Sequence, residues 1–520
     1  MKRSPLVCGN PRRILCNTFI LRVNPRFLHQ WGRFILSESV MELSDFDKLL
    51  NQEFKPKSEE ADQAVKGAVR TLVGQALEHA SLVSDNAVKT IEGIISELDK
   101  KLSAQLNEII HHKDYEGLES AWRGLNYLVN NTETSSTLKI RVLNVSKKEL
   151  QKSFKKFRGS SWDQSPLFKD LYEEEYGSAG GEPFGAIIGD YYFNQSAPDL
   201  EILKGISQIA AAAHAPFIAA ADPSILNLES WQELSNPRDL TKIFATPEYA
   251  GWRSFRESDD SRYVALTLPR VLSRIPYGAT TCPVETFDFE EDTGAGDSNR
   301  YVWMNAAYAM GVNINRSFAD YGWCAHIRGV ESGGMVENLP THVFPTDDGG
   351  TAMKCPTEIA ITDRREAELS DNGFLPLCYW KNTDYAVFLG GQTVNKPTEY
   401  DNPDATANAK LSARLPYIFA TSRFAHYLKC IVRDKVGSFK ERADMEKWLS
   451  DWISNYVTSD PNASDEVKAK YPLAEAKVVV EDVEGQPGYY NAKFYLRPHY
   501  QLEGLTTSLR LTTKVPSGTK

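Results

Sequence analysis

Phe494-Tyr-Leu-Arg-Pro-His-Tyr500-Gln-Leu-Glu-Gly504-Leu-Thr-Thr-Ser-Leu-Arg-Leu511, preceded by Ala474-Glu-Ala-Lys-Val-Val-Val-Glu-Asp482, alternates apolar and polar side chains. Ala476, Val478 and Val480 alternate with Lys477, Val479 and Glu481, the period of two of a strand with one buried face. Glu484-Gly-Gln-Pro-Gly488 then supplies the residues that a chain reversal needs. Tyr490 to Gln501 predicts a second strand, with Phe494, Leu496 and Tyr500 on one face and Tyr495, Arg497 and His499 on the other. After Glu503-Gly504 the period continues through Leu505, Thr507, Leu509 and Leu511. A terminal ribbon of this length exposes backbone donors and acceptors that template pairing with another chain unless they are blocked. Pro498 is the one obvious interruption. Either the ribbon lies inside its own sheet or a neighbour completes it, and the second reading makes Val478, Val480, Phe494, Leu496, Arg497, Tyr500, Leu509 and Leu511 candidate subunit-interaction residues.

Upstream of the ribbon, residues 411–520 begin with two helical patterns. Ser412 reads as the cap of a long helix with Pro416 in its first turn, striped by Leu415, Ile418, Phe419, Leu428, Ile431 and Val432. Met445, Trp448, Leu449, Trp452, Ile453 and Tyr456 stripe the second. Residues 133–410 read as a mixed α/β body. Strands are predicted at Leu138–Val145, Phe184–Tyr191 and Pro216–Ala221, and helices at Lys147–Phe157 and Leu200–His214; this alternation suggests βαβ units and a largely parallel sheet. A helix at Tyr301–Tyr321, strands at Trp323–Arg328 and Leu375–Leu389, and a polar loop at Gly390–Asn408 follow.

Residues 41–132 are helical in pattern. Ser84-Asp85 caps a helix Asn86–His112 striped by Ile91, Ile94, Ile95, Leu98, Leu102, Leu106, Ile109 and Ile110, a rod of about 40 Å. Such a stripe needs a cover. Its own third helix, Tyr115–Val129, is one candidate and a partner's helix is the other, which puts Leu98, Leu102 and Leu106 among the candidate subunit contacts.

The chain has 520 residues, 42% hydrophobic and 25% charged, enough for two or three domains with buried cores. Its net charge of −10 conceals seven Lys/Arg and one Glu in residues 1–40, a local +6 that leaves −16 on the remainder. So acidic a body disfavours nucleic acid. The basic helix carrying Lys147, Lys148, Lys152, Lys155, Lys156 and Arg158 reads as a solvated face. No apolar run approaches the roughly 20 residues of a membrane span, so no membrane insertion is expected. Residues 1–40 read as a leader or a misassigned start, with Met41 the expected true start. Five scattered cysteines beyond them suggest reduced thiols in a cytosolic protein.

Catalytic chemistry finds little support. Asp292-Thr-Gly-Ala-Gly-Asp297 looks like the anion-hole motif of ribokinase-like sugar kinases, with Asp297 as base. It follows Glu290-Glu291, however, whose charges oppose nucleotide phosphates, and Ser298-Asn299 reads as an ordinary helix cap. Cys324 and His326 share a strand face without further ligands, and His111-His112 reads as a pair facing helix-end carbonyls. No catalytic residue, metal site or cofactor is expected. In Pro269-Arg-Val-Leu-Ser-Arg-Ile-Pro-Tyr-Gly278, Arg270 and Arg274 fit either internal ion pairs or anchors for an acidic partner.

The segment Phe494–Leu511, together with Leu268-Pro-Arg-Val-Leu-Ser-Arg-Ile-Pro-Tyr-Gly278 and Ala413-Arg-Leu-Pro-Tyr-Ile-Phe419, resembles the large subunit of the type VI secretion system contractile sheath. The resemblance runs from about Met41 to the end. It implies a fold like that of phage-tail sheath proteins, with an N-terminal helical segment and a C-terminal ribbon for strand exchange between subunits. It also implies a heterodimer with a small sheath subunit, stacking of heterodimers as a helical sheath around an inner tube on a baseplate, and contraction that drives effector injection. A hexameric ATPase would disassemble the contracted sheath, and the whole would lie in the bacterial cytoplasm within a membrane-anchored apparatus. The competing classes are the sugar kinase around Asp297 and a scaffold that never polymerises.

Overall fold

The computed structural model describes residues 59, 63, 66–67, 87–236, 239–285, 287–294, 296–346, 349–435, 441–484 and 490–501. The leader 1–40, most of the helical pattern before residue 87, and Leu505, Leu509 and Leu511 lie outside the described residues. The chain divides into two compact units, 1–94 and 95–520. In the first, the described positions are helical. The second carries the sheet body and the ribbon.

Two helices open this second unit: α1 (Ala87–Ile110, of which the part from Ile95 belongs here) and α2 (Lys113–Asn130). A third, α3 (Lys147–Lys156), starts with a capping box in which Ser146 Oγ accepts from Glu149 N and the Glu149 carboxylate accepts from Ser146 N. The body is built on a six-stranded sheet. Its strands are β1 (Ile187–Phe193), β2 (Phe217–Ala221), β3 (Val264–Leu268), β4 (Met335–Val336), β5 (Leu375–Tyr379) and β6 (Ala386–Phe388), in the order β1-β2-β3-β5-β6-β4. Pairings from β1 to β5 are parallel and the last two are antiparallel.

Every residue of β2 is buried because both faces of the sheet are covered. Phe217, Ala219 and Ala221 join one core cluster with Ile202, Leu203 and Ile206 of α4 (Ala197–Ala213). Ile218 points the other way, into a cluster with Ala306, Ala309 and Met310 of α5 (Ala306–Tyr321). A third cluster gathers Phe424 and Leu428 of α6 (Leu415–Lys435), Leu449 and Ile453 of α7 (Arg442–Ser454), and the ribbon formed by β7 (Leu473–Asp482) and β8 (Tyr490–Pro498).

Several expected elements differ from those observed. Leu138–Val145 forms no strand, although its residues alternate. The helix expected from Tyr301 starts at Ala306, capped by Asn305 Oδ1 accepting from Ala307 N, because Trp303–Met304 pairs with Val271–Leu272 as a short ladder. Trp323–Arg328 is a loop rather than a strand. Gly390–Asn408 is neither wholly loop nor free. Thr393 and Val394 are fully buried, Val394 N donates to Val264 O, and Asn395 Nδ2 donates to Ser258 O. A helix, Pro403–Ser412, occupies its second half, so Ser412 ends that helix instead of capping α6. Polar composition misled here because these side chains satisfy backbone groups inside the body.

Candidate assembly surfaces

The first surface is the ribbon. Ala476 pairs with Leu496, Val478 with Phe494 and Val480 with Ala492, and this face packs on α6 and α7. Val478 and Val480 are buried, while Phe494 and Leu496 are half-buried. The opposite face carries Tyr495, 58% exposed, and the cross-strand pairs Arg497–Glu475 at 3.1 Å and Lys493–Glu481 at 2.7 Å. Tyr500, expected beside Phe494 and Leu496, is instead 61% exposed beyond the end of β8. β7 has its outer edge partly covered: Val480 N donates to Glu446 Oε2, and Leu473 bridges to Val457. Among the described residues β8 pairs with β7 alone.

The second surface is the pair α1 and α2. Leu98 and Leu106 are half-buried, and Leu102 is 44% exposed, with Ile95 and Ile109 exposed alongside. The α2 helix leaves this stripe partly open and shows water an apolar row of its own. Tyr115, Leu118, Trp122 (65% exposed) and Val129 follow each other at helical spacing along α2. The inner face of α2 is fixed elsewhere. Leu128 packs with Tyr308 and Val312 of α5, and Gly124 lies so close to Tyr308 that a Cβ there would overlap the ring. Ser120 Oγ donates to Trp303 O at 2.6 Å. The heptad-like spacing of Tyr115, Leu118, Trp122 and Val129 was a readable signal of this second stripe.

An ionic joint holds α2 to the body. Arg274 Nε donates to Glu119 Oε1 at 2.7 Å, and its Nη1 and Nη2 donate to Glu291 at 2.5 and 3.1 Å. Arg123 Nε also donates to Glu119, at 2.6 Å, and its Nη2 to Tyr277 OH at 3.0 Å. Burial opposes the Arg274 charge, but the bonds to Glu291 and Glu119 outweigh it and hold the pKa above its ordinary value. Burial likewise pushes Glu119 up, while Arg274 and Arg123 overcome that push and hold it below the usual carboxylate value. Arg270 makes two 2.8 Å bonds to Glu358. Both arginines of the Pro269–Gly278 stretch are thus in internal ion pairs.

The motifs that suggested chemistry have structural roles. Asp297 Oδ1 accepts from Asn299 N and caps the turn Ser298–Arg300, and Asp292 N donates to Asn107 Oδ1 of α1. His111 lies between Glu116 (3.5 Å) and Glu291 (3.8 Å), and His112 Nδ1 accepts from Asp114 N at the start of α2. Among the described residues neither histidine hydrogen-bonds a helix-end carbonyl. Among the described residues no cluster of His, Cys, Asp and Glu has the makings of a metal site, and no helix is long and apolar enough to cross a membrane.

Residues 92–395 match the family model described as EvpB/VC_A0108, tail sheath N-terminal domain, and residues 404–515 the model of the EvpB/VC_A0108 tail sheath gpW/gp25-like domain. The chain belongs to the type VI secretion system sheath family. It is 68% identical over 475 residues to the type VI secretion system sheath protein TssC1 of Pseudomonas aeruginosa, covering 91% of this chain and 95% of that one. Members of this family are structural sheath proteins, so the chain is a sheath protein and not an enzyme, and the kinase reading of Asp297 falls away. Among solved structures, the anti-feeding prophage baseplate aligns at 11% identity and a TM-score of 0.36, over 75% of this chain and 86% of the other. The contracted helical sheath of the same prophage aligns at 11% identity and a TM-score of 0.29, over 60% and 66%.

Proposed function

We propose that this sheath protein is the large subunit of a heterodimer. It pairs with a small sheath subunit, the heterodimers stack as a helical sheath around an inner tube on a baseplate, and contraction drives the tube and its effectors outward. A disassembly ATPase acts on the contracted form, and the sheath works in the bacterial cytoplasm as part of a membrane-anchored apparatus. Energy resides in the metastable extended lattice, so the subunit needs no cofactor. The observation that carries the strand-exchange part is the ribbon: β8 has one strand neighbour among the described residues, and its inner face is anchored by Phe494 and Leu496 to the α6–α7 layer. Strand addition at such an edge holds subunits in register through backbone hydrogen bonds while their bodies rotate.

The test removes Tyr489–Lys520 and follows heterodimer and tubule separately, by co-purification and electron microscopy. Heterodimers without tubules are expected. Normal tubules would refute strand exchange, and loss of both would assign the ribbon to the core of its own domain.

A further inference from the structure

The helix α6 passes from one core to another. Leu415 and Phe419, at its start, belong to the cluster on one face of the central sheet, while Phe424 and Leu428 belong to the cluster that holds the ribbon. His426 lies beside these, 2% exposed, and reaches a third element: its Nε2 stands 2.8 Å from the carbonyl of Ala213, the last residue of α4. Arg423, one turn earlier on α6, places its Nη1 3.3 Å from His426 Nδ1. A carbonyl only accepts and a guanidinium only donates, so Nε2 carries the proton and Nδ1 presents its lone pair. The two bonds therefore assign one neutral tautomer, and a second proton has no acceptor. The guanidinium cannot easily turn aside. Its Nη2 donates to Tyr427 OH at 3.2 Å, and it lies 4.8 and 5.6 Å from the ring centroids of Tyr427 and Phe318.

A second imidazole stands against the first. His214 caps α4 in the left-handed conformation, at φ 51°, and its ring meets that of His426 edge-on at 6.2 Å. Tyr176 lies edge-on to both, at 5.5 and 6.0 Å, and Tyr263 OH is 3.3 Å from His214 Nδ1. The other titratable neighbours do not favour a proton here. Lys429 lies over the rings of Tyr176 and Tyr172 and opposes charge on His214. Cys430 and Tyr172 act on Tyr176, Cys324 faces Arg423, and Arg262 and Asp260 act on Tyr263. Among the described residues no carboxylate hydrogen-bonds either imidazole or Arg423. Burial lowers the pKa of both histidines, and the charges of Arg423 on His426 and of Lys429 on His214 lower them further.

We infer that Arg423, His426 and His214 form a proton-sensitive clamp, which seats the second half of α6, and the ribbon that it carries, on the end of α4. The clamp is closed where histidine is neutral. Acid opens it, because a proton on His426 Nδ1 faces a guanidinium and breaks the bond that orients the ring. The sign follows from the lowered values: the closed state is fully favoured above about pH 6.5, where a free histidine is neutral, and loses that advantage as pH falls. The device belongs to the single chain and holds whatever that chain assembles with.

The test is amide hydrogen exchange on the full chain at about pH 7.5 and about pH 5, expressed as protection factors so that intrinsic exchange rates cancel. Residues 424–435 and the ribbon should be less protected than β3 at both values, the mark of an opening smaller than global unfolding. Their protection should drop by about thirtyfold at the lower pH, since each opening takes up one proton at a site that titrates near 6.5 when free. His426→Gln keeps a donor for Ala213 O and an acceptor for Arg423 but cannot be protonated, and it should remove most of that drop. His214→Asn, a residue that tolerates the left-handed backbone, should remove a smaller part. Equal protection of the ribbon and β3 at both values would overturn the clamp, because the two would then open as one unit. Ribbon protection that does not change with pH would overturn it as well, and so would a drop that persists in His426→Gln. If His426→Gln does not fold, the comparison of the ribbon with β3 in the unaltered chain decides alone.

Discussion

Arg274 shows how one side chain fixes the geometry of an element. Its side chain is 7% exposed, and the guanidinium divides its donors between Glu119 on α2 and Glu291 on the body. Replacing it with methionine keeps the length but leaves two carboxylates in a poorly solvated joint. Breaking one side of a buried pair costs about 3–5 kcal/mol, so Arg274→Met should lower the urea midpoint strongly, and the additional Glu291→Gln change should recover part of the loss. His426 supplies a pH signature. Burial drives its pKa down to about 3, with its Nε2 placed 2.8 Å from Ala213 O. The folded chain therefore keeps it neutral where the unfolded chain, titrating near 6.5, already takes up a proton. Stability from this group is complete above about pH 6.5 and is lost as pH falls toward the folded value, by up to about 1.4 kcal/mol per pH unit. Thermal melts between pH 7.5 and 5 should fall, and His426→Gln should flatten that dependence.

At the scale of elements, α1 and α2 are amphipathic helices with an apolar row left toward water. Anchoring by Gly124, Leu128 and the Arg274 joint determines which side of α2 is inward, and Leu118 and Trp122 follow outward. Leu102→Asp with Trp122→Asp places charges on exposed positions, where substitutions usually shift stability within about 0.5 kcal/mol. Circular dichroism and melting should be unchanged, and recovery of the small subunit in pull-down should drop at least roughly tenfold if these rows are interface, because a carboxylate buried without a partner costs several kcal/mol. Undiminished pull-down would remove both helices from the heterodimer contact.

At the scale of the whole molecule, the three largest core clusters among the described residues divide the work. The two faces of the parallel-rich sheet carry the two cores of the body, and the α6–α7 layer holds the ribbon. A contractile lattice needs subunits that stay folded while their contacts rearrange. Within the ribbon, Val478 and Val480 face inward, whereas Tyr495 and the α1–α2 rows stand toward water. Truncation of the ribbon at Tyr489 should therefore leave the sheet body folded, with its thermal transition retained, while tubule formation is lost.

Local pattern was sufficient where one chain segment meets its own neighbours. The ribbon alternation, the buried run Phe217–Ala221 and the stripe of α7 could all be read from spacing, because period and burial coincide there. Tertiary structure alone decided the rest. Leu138–Val145 has strand-forming residues but joins no ladder among the described residues; Thr393–Asn395 is polar yet buried because the body offers backbone groups to satisfy. Arg270 and Arg274 became internal pairs only because Glu358, Glu119 and Glu291 converge on them from distant positions. A strand needs a partner and a buried charge needs a counter-charge, and neither is a property of the segment that carries it.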